Sequence, residues 1–330
     1  FGSRSSGPSR KLSTNKPLSK HRKHLMARLL DPTDASQPRK ITEHARLVPR
    51  NGPFEADIVL YGADTQNTWK VATLLEEMEV DYDVVVINIS KNEQKEPWFL
   101  AMNPNGRTPA MLERSASAKP FSLFESGAML LYLCDKFGSS LLPSDRRQRS
   151  EVEQWLMWQM SALGPMMGNC MYFKRIAAPF ADDVSKLQFG IDRYHNESFR
   201  LLTALNDRLT GRNFLCGAGM GSYTIADIAC YGYAQSHWWA GIDISGMSGL
   251  LAWLERVGSR PAVLRGMAVP SGTVSFMAID DGTGRRSQLE RNAADKKRPH
   301  FGWRDLAEIR NDPNLSGVFK GPSDAKQSRL

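Results

Sequence analysis

The spacing of apolar residues between positions 56 and 137 predicts a small mixed sheet with helices on its faces. Residues 66–79 place apolar side chains at the three- and four-residue spacing of one helix face, whereas the β-branched run at 83–89 is typical of a strand. The predicted elements are strands at 57–61, 83–89, 109–112 and 121–124, and helices at 66–79, 97–102 and 125–137. Their order is β-α-β-α-β-β-α.

The second half of the chain has a helical pattern almost throughout. The predicted helices lie at 151–174, 183–210, 224–239 and 248–257, and glycines separate most of them. Five regions follow from these patterns: a basic N-terminal extension at 1–53, an α/β domain at 54–140, a linker at 141–150, an all-helical domain at 151–270 and an irregular C-terminal extension at 271–330.

Composition narrows the class of protein. A chain of 330 residues with 41% hydrophobic residues is long enough for two folded domains. No apolar run approaches the roughly 20 residues that a membrane-spanning helix needs, so no transmembrane segment is expected. The four cysteines lie far apart and lack a C-x-x-C pair or zinc-ligand spacing, which predicts buried thiols in a reducing compartment and no metal site.

Charge is concentrated in the two extensions. Residues 1–50 hold twelve Lys and Arg against three acidic residues, and 271–330 hold eleven against eight, whereas 51–270 are mildly acidic. The first thirty residues contain no Asp or Glu, which is typical of organelle-targeting leaders and predicts a mitochondrial location, with plastid or cytoplasm as alternatives. Residues 1–50 could equally be a solvated tail, or an arm that docks on RNA, an acidic protein face or anionic lipid.

Several local motifs carry a resemblance to a known family. They are NPNGRTPA at 103–110, FESGA at 124–128, WLMWQM at 155–160, LGPM at 163–166 and YTIADI at 223–228. In this order they resemble the soluble glutathione transferases, and in particular the nu-class, disulfide-bond oxidoreductase-like branch. The resemblance covers about residues 56–270. It implies an α/β thioredoxin-like N-terminal domain followed by an all-α C-terminal domain, with basic extensions at both ends.

The resemblance implies glutathione as co-substrate and assigns Thr65 and Asn67 as the residues that hold its thiolate. A thiol with a pKa near ~8.5 needs stabilisation to ionise at neutral pH. A hydroxyl and a carboxamide N–H can each donate a hydrogen bond to sulfur, and a helix N-terminus adds positive potential. The competing interpretation is that Thr65 only caps the following helix. Two departures from the family are Gln66, where relatives have proline, and Asp64, whose carboxylate would raise the thiol pKa.

The remaining site residues are also implied by the resemblance. A cis bond between Thr108 and Pro109 would let Thr108 pair with the cysteinyl backbone of glutathione, and Arg107 would bind its glycine carboxylate. Glu125 and Ser126 would bind the γ-glutamyl group at a helix N-terminus. Arg193 corresponds to a family position that reaches a glutathione carboxylate, in some members across a dimer.

Three further motifs are expected to serve folding. Tyr61 is interpreted as packing and not as a catalytic tyrosine. The capping box formed by Thr224 and Asp227 accounts for both residues. The aromatic and methionine cluster at 155–167 is interpreted mainly as core, with an apolar wall for a second substrate as the alternative.

Two functions remain open on the sequence alone. The first is a glutathione-dependent transferase or thiol–disulfide reductase that uses Thr65 and Asn67. The second is a subunit of a large organellar assembly, such as a ribosome or respiratory complex, anchored by its basic extensions with little or no turnover. The expected quaternary state is a homodimer or a place in such an assembly.

Overall fold

A computed structural model describes residues 38–114 and 119–272, and within them a six-stranded sheet in the order β1-β2-β4-β3-β5-β6. The strands are β1 Arg39–Lys40, β2 Ala45–Leu47, β3 Ile58–Gly62, β4 Tyr82–Val86, β5 Ala110–Glu113 and β6 Phe121–Phe124. Strands β2, β4 and β3 run parallel, and the β5–β6 hairpin pairs antiparallel with β3. The predicted hairpin and the order of the elements after residue 56 are confirmed.

Helices cover both faces of this sheet. They are α1 Gln66–Glu77, α2 Pro97–Leu100 and α3 Ser126–Phe137. Because side chains alternate along a strand, Ile58 and Leu60 pack into the large core with α1 and α3, whereas Val59 and Tyr61 pack on the opposite face against Phe99 of α2. Strand β3 is buried along its whole length, and three residues separate its end from the start of α1. The N-terminal end of α1 is thus held next to the core of the sheet.

The folded domain begins earlier than the sequence predicted. Strands β1 and β2 lie inside the predicted extension at 1–53, and Ala45 and Leu47 are buried in the main core. Arg46, between them, donates from Nε to Oδ1 of the buried Asp83 at 2.8 Å. A strand of three residues is too short for its alternation of apolar and polar side chains to be a reliable signal, and its pairing with β4 is what defines it.

The helical domain follows with few interruptions. Its α-helices are α4 Arg146–Trp158, α5 Gly164–Tyr172, α6 Gln188–Leu209, α7 Ile225–Gln235, α8 Ser248–Gly258 and α9 Pro261–Met267. Five-residue π-helical turns, Gln159–Leu163 and Phe173–Ala177, continue α4 and α5, and short 3₁₀ turns lie at Ala178–Phe180, Val184–Leu187 and Ser236–Trp238. No described helix has both the length and the apolar character that a membrane crossing requires.

Two boundaries of this domain differ from the predicted ones. Helix α4 begins at Arg146, inside the predicted linker at 141–150, because the Asp145 carboxylate accepts from the backbone N–H groups of Arg147 and Gln148. Its first turn is polar, and for that reason it resembles a linker in sequence. The seven-residue α9 was not predicted. The capping box of Thr224 and Asp227 is confirmed at the start of α7.

Helix α1 joins the two domains. Arg260 forms an ion pair with Glu77 at 2.7 Å, and Arg265 forms one with the buried Glu76 at 2.6 Å. Helix α9 also approaches α1 so closely that a Cβ at Gly266 would lie 2.5 Å from the backbone nitrogen of Thr73. The helix that carries the predicted thiol site is therefore held between the sheet and the helical domain.

Candidate active site

Thr65 lies at the junction between β3 and α1. Its backbone is extended, with φ −144° and ψ 155°, and its side chain makes no capping hydrogen bond to the helix. The Thr65 hydroxyl lies 3.3 Å from the hydroxyl of Thr68, and either group can donate in that pair. The interpretation of Thr65 as a simple helix cap is therefore wrong. Its hydroxyl instead lies beside the first turn of α1, where the helix dipole favours negative charge.

Asn67 has a defined carboxamide orientation. Its Oδ1 accepts a hydrogen bond from Nζ of Lys70 at 2.9 Å, and its side chain lies near enough to the Tyr233 hydroxyl to lower the pKa of that tyrosine, although burial raises it more. With the oxygen occupied by a lysine, the amide N–H₂ is the group that Asn67 can offer to other acceptors. The arrangement thus gives Asn67 the donor character that a bound thiolate needs.

Lys70 is a member of the site that the sequence analysis missed. Its side chain is only 2% exposed, and Nζ also donates to Oε1 of Gln159 at 2.7 Å. Burial lowers the pKa of this lysine to about 7. The signal in the sequence was a lysine three residues after Asn67 in a helix whose neighbouring positions are apolar. Gln159 could not be linked to it, because it lies 89 residues away on a π-helical turn.

The predicted turn around Pro109 has the expected form. The Thr108–Pro109 peptide is cis, as predicted. The buried Asn103 donates from Nδ2 to the Arg107 carbonyl at 2.6 Å and so fixes the turn that leads into β5. Thr108 is half-buried, and Arg107 is exposed at the same rim.

A second cation lies close to Arg107. Lys95 donates to the Asn105 carbonyl at 3.3 Å, and burial together with the charge of Arg107 lowers its pKa. Two neighbouring cations at one rim suit a carboxylate ligand. Lys95 was not among the predicted site residues, because nothing in the sequence brings position 95 next to the turn at 107–109.

Glu125 and Ser126 lie at the start of α3, as predicted. Glu125 has φ +70° and ψ 110°, a conformation that residues with a side chain rarely adopt and that often marks functional positions. Ser126 is buried in the first turn of α3, and its Oγ lies 3.8 Å from Sδ of Met160. Met160 also lies 3.8 Å from Nζ of Lys70, so this thioether connects the two ends of the site.

Arg193 is not joined to the other predicted residues within the described part of one chain. It lies on α6 with its side chain 57% exposed, and Nη1 is 3.8 Å from Glu197. A role in binding glutathione from a partner subunit therefore stays a prediction.

The residues next to Thr65 and Asn67 in the sequence have defined contacts. Tyr61 is buried with its ring 6.2 Å from that of Trp98, which confirms packing. Asp64 accepts from the Trp69 indole at 3.0 Å. Gln66, which replaces the proline of relatives, donates from Nε2 to Oγ of Ser236 at 3.2 Å and so links α1 to the helical domain.

The aromatic and methionine cluster is mainly core, as expected. The rings of Trp155 and Trp158 lie 5.1 Å apart, Met167 is buried, and Met166 packs against the core. Met160 is the exception, because it borders the site.

The cysteines of the chain are poor candidates for the nucleophile. All four are unpaired and buried, and burial raises the pKa of Cys134 and of Cys216 to about 12. Burial also raises the pKa of Cys170 and Cys230. Thiol chemistry at this site must therefore use a thiol that a ligand supplies.

Fold and site together define a class of protein: a thioredoxin-like domain joined to a helical domain, with a threonine and an asparagine, and no cysteine, where the first strand of its β-α-β unit leads into α1. Residues 56–135 match the family described as glutathione S-transferase, N-terminal domain. The disulfide-bond oxidoreductase YfcG of Escherichia coli is 40% identical over 207 residues, which cover 62% of this chain and 92% of that protein. The chain belongs to the glutathione transferase family.

Solved structures support the same assignment. A glutathione transferase from Burkholderia graminis, with two glutathione molecules bound per subunit, is 35% identical with a TM-score of 0.59, over 65% of this chain and 89% of that one. A glutathione transferase from Pseudomonas putida, with one glutathione disulfide bound per subunit, is 33% identical with a TM-score of 0.59, over 65% of this chain and 92% of that one. The fold that the sequence predicted is confirmed.

Proposed function

We propose that the protein is a glutathione-dependent thiol–disulfide oxidoreductase of the glutathione transferase family. The proposal rests mainly on Thr65 and Asn67, two side chains able to donate hydrogen bonds at the N-terminus of α1. The cysteines of the chain itself are buried. Bound glutathione would be the nucleophile, held as a thiolate by these donors and by the helix dipole.

The reaction balances with two molecules of glutathione. The bound thiolate attacks one sulfur of a substrate disulfide, the S–S bond breaks, and the other sulfur leaves as a thiolate that takes up a proton. A second glutathione attacks the mixed disulfide, which releases the second substrate thiol and glutathione disulfide. The relatives that contain two glutathione molecules or one glutathione disulfide per subunit support this stoichiometry.

Binding of glutathione would use the rest of the site. Arg107 and Lys95 suit the glycine carboxylate, Thr108 offers backbone groups beside the cis proline, and Glu125 with Ser126 suits the γ-glutamyl group. These contacts exist in both the ground and the transition state, so they set affinity, whereas Thr65 and Asn67 set the reactivity of sulfur.

The double variant Thr65→Ala with Asn67→Ala tests this assignment. Each hydrogen bond to a thiolate contributes about 1.5–3 kcal/mol, so we expect kcat for disulfide reduction to fall by at least about a hundredfold. Calorimetric affinity for S-methylglutathione should change by less than about threefold, because this ligand has no ionisable thiol. Thr203→Ala, which removes a hydroxyl bonded to the Phe199 carbonyl on α6, is the control. Full activity of the double variant would refute the roles of Thr65 and Asn67.

Quaternary structure and location belong to the same proposal. A homodimer is supported by the edge strand β6, which pairs only with β5 in the described residues and exposes Phe121 and Phe124. Mitochondrial location, contact of residues 1–50 with RNA or an acidic protein, and membership of an organellar assembly rest on the composition of the extensions. Residues 1–37 and 273–330 lie outside the described residues, so these stay predictions.

A further inference from the structure

We propose that Lys70, which no sequence motif singled out, is a positioning residue and the buried counter-charge of the glutathione thiolate. Its ammonium group orients the Asn67 carboxamide, and the bound thiolate is the anion that compensates its charge. This inference rests on the proposed function, since it assigns a role within the same thiol site.

The orientation of Asn67 follows from two hydrogen bonds of Lys70. Nζ donates to Oδ1 of Asn67 at 2.9 Å and to Oε1 of Gln159 at 2.7 Å. Gln159 is fully buried on the π-helical turn after α4, so it anchors the ammonium group in place. A carboxamide whose oxygen faces the lysine must turn its N–H₂ away from it. The amide hydrogens then remain available for the ligand and for Tyr233.

The charge of Lys70 has no carboxylate partner at ion-pair distance in the described residues. From α7, Cys230, Tyr231 and Tyr233 face it, and burial raises the pKa of each, so all three are uncharged at neutral pH. The π-helical turn contributes only the neutral Gln159 and Met160.

One carboxylate acts on Lys70 from further away. Glu125, at the start of α3, favours the charged form of the lysine, but it is exposed and the stronger effect of burial still lowers the Lys70 pKa to about 7. A buried ammonium group without an anion is unfavourable, and an anion bound beside Asn67 would relieve it. By reciprocity, the same interaction lowers the pKa of the bound thiol.

The Lys70→Met variant tests the inference. Met keeps the approximate length of the side chain and removes both the charge and the hydrogen bonds. It relieves a buried charge, but it leaves Oε1 of the buried Gln159 without its donor. The readout is the ultraviolet absorbance of the thiolate as a function of pH, measured for glutathione bound to the protein and corrected with S-methylglutathione. We expect the pKa of the bound thiol to rise by about one unit or more, while affinity for S-methylglutathione changes by less than about twofold. Lys186→Met, at an exposed position, is the matched control and should change neither quantity.

The Gln159→Glu variant separates charge from orientation. Glutamate has the same shape and can still accept from Lys70, so Asn67 should keep its orientation. It also supplies the missing carboxylate, so the lysine no longer needs the thiolate as its anion. We expect the thiol pKa to rise in this variant too, although Lys70 is intact. An unchanged thiol pKa would overturn the counter-charge role.

The titration of Lys70 itself gives an independent readout. In protein labelled at lysine ε-carbons, assigned with Lys70→Met, the Lys70 signal should titrate near neutral pH without ligand. Its pKa should rise with glutathione and stay unchanged with S-methylglutathione. Wild-type disulfide reduction together with an unchanged thiol pKa in Lys70→Met would overturn this inference alone. A wild-type protein that binds neither glutathione nor S-methylglutathione would overturn the proposed function, and this inference with it.

Discussion

Gln66 shows how one residue at the thiol site serves the fold. It occupies the first position of α1, between the two proposed thiolate donors, and its side chain reaches Ser236 at the C-terminal end of α7. Thr65 before it has an extended backbone, which is the conformation that a following proline requires. Proline is also well accepted at the first position of a helix, because that N–H has no partner within the helix. Gln66 therefore adds a contact between domains without changing the backbone of the site.

We expect the Gln66→Pro variant to fold and to keep its activity. The lost hydrogen bond to Ser236 costs about 1 kcal/mol, and the reduced freedom of the unfolded chain offsets about 0.4–1 kcal/mol. The free energy of unfolding in urea should therefore change by less than about 1 kcal/mol. Gln66→Ala, which loses the hydrogen bond without the proline effect, should be the less stable variant. A Gln66→Pro protein that folds but has lost kcat would show that the contact with Ser236 positions Asn67.

At the scale of the elements, helix α1 connects the candidate site to the helical domain. Ten of its residues are buried, and they include the polar side chains Gln66, Lys70 and Glu76. Each of these three has a partner on another element: Gln66 reaches the 3₁₀ turn after α7, Lys70 reaches the π-helical turn after α4, and Glu76 reaches α9. The helix thus transmits the geometry of the helical domain to Asn67. Of these buried polar groups, Lys70 should make the free energy of unfolding depend on pH, because its pKa is lowered to about 7.

The stability of the wild-type protein should depend on pH through Lys70. Its pKa is about 7 in the folded chain, below the ordinary lysine value of 10.5. Between these values the unfolded chain binds more protons, so wild-type stability rises with pH across this window. Lys70→Met lacks this contribution, so its advantage over wild type should be largest below about pH 7 and should shrink by a few kcal/mol towards about pH 10. Urea unfolding of both proteins across this range measures the difference in stability, and a difference that does not change with pH would contradict the lowered pKa of the buried Lys70.

At the scale of the whole molecule, the segment before β3 belongs to the folded unit. The Thr42 hydroxyl and the Tyr82 hydroxyl both donate to Oε1 of Glu76, whose other oxygen pairs with Arg265 of α9. Leu47 and Val48 are 1% exposed, and β2 covers the edge of β4. The segment of β1 and β2, helix α1 and helix α9 therefore meet at the buried carboxylate of Glu76.

Two truncations test where the folded unit begins. Deletion of residues 1–37 keeps every described residue, so this protein is the reference for the shorter one. Deletion of residues 1–50 also removes Leu47 and Val48, each contributing about 1.5–3 kcal/mol by burial, and it uncovers the edge of β4. We expect this protein to lose at least about 4 kcal/mol or to aggregate. Equal stability of the two truncations would show that β1 and β2 contribute nothing.

The sequence by itself determined the features that depend on neighbouring residues. The family resemblance implied the cis bond before Pro109, whereas the helix and strand order after residue 56, the hairpin of β5 and β6 and the capping box of α7 have local signatures. The positions of Thr65, Asn67 and Ser126 at helix starts followed for the same reason. Local propensity and motif are sufficient there, because the interactions involved span only a few residues.

Only the tertiary structure decided which distant groups meet. Lys70 and Gln159 are 89 residues apart, and Glu76 and Arg265 are 189 apart, so neither contact has a signature in the local pattern. Strand β2 exists because β4 pairs with it, and Lys95 lies beside Arg107 because its 3₁₀ turn, Glu93–Lys95, packs against the turn at Asn105. The sequence therefore singled out Thr65 and Asn67 as the proposed thiolate donors. The packing of α1 against the helical domain placed the buried charge behind them.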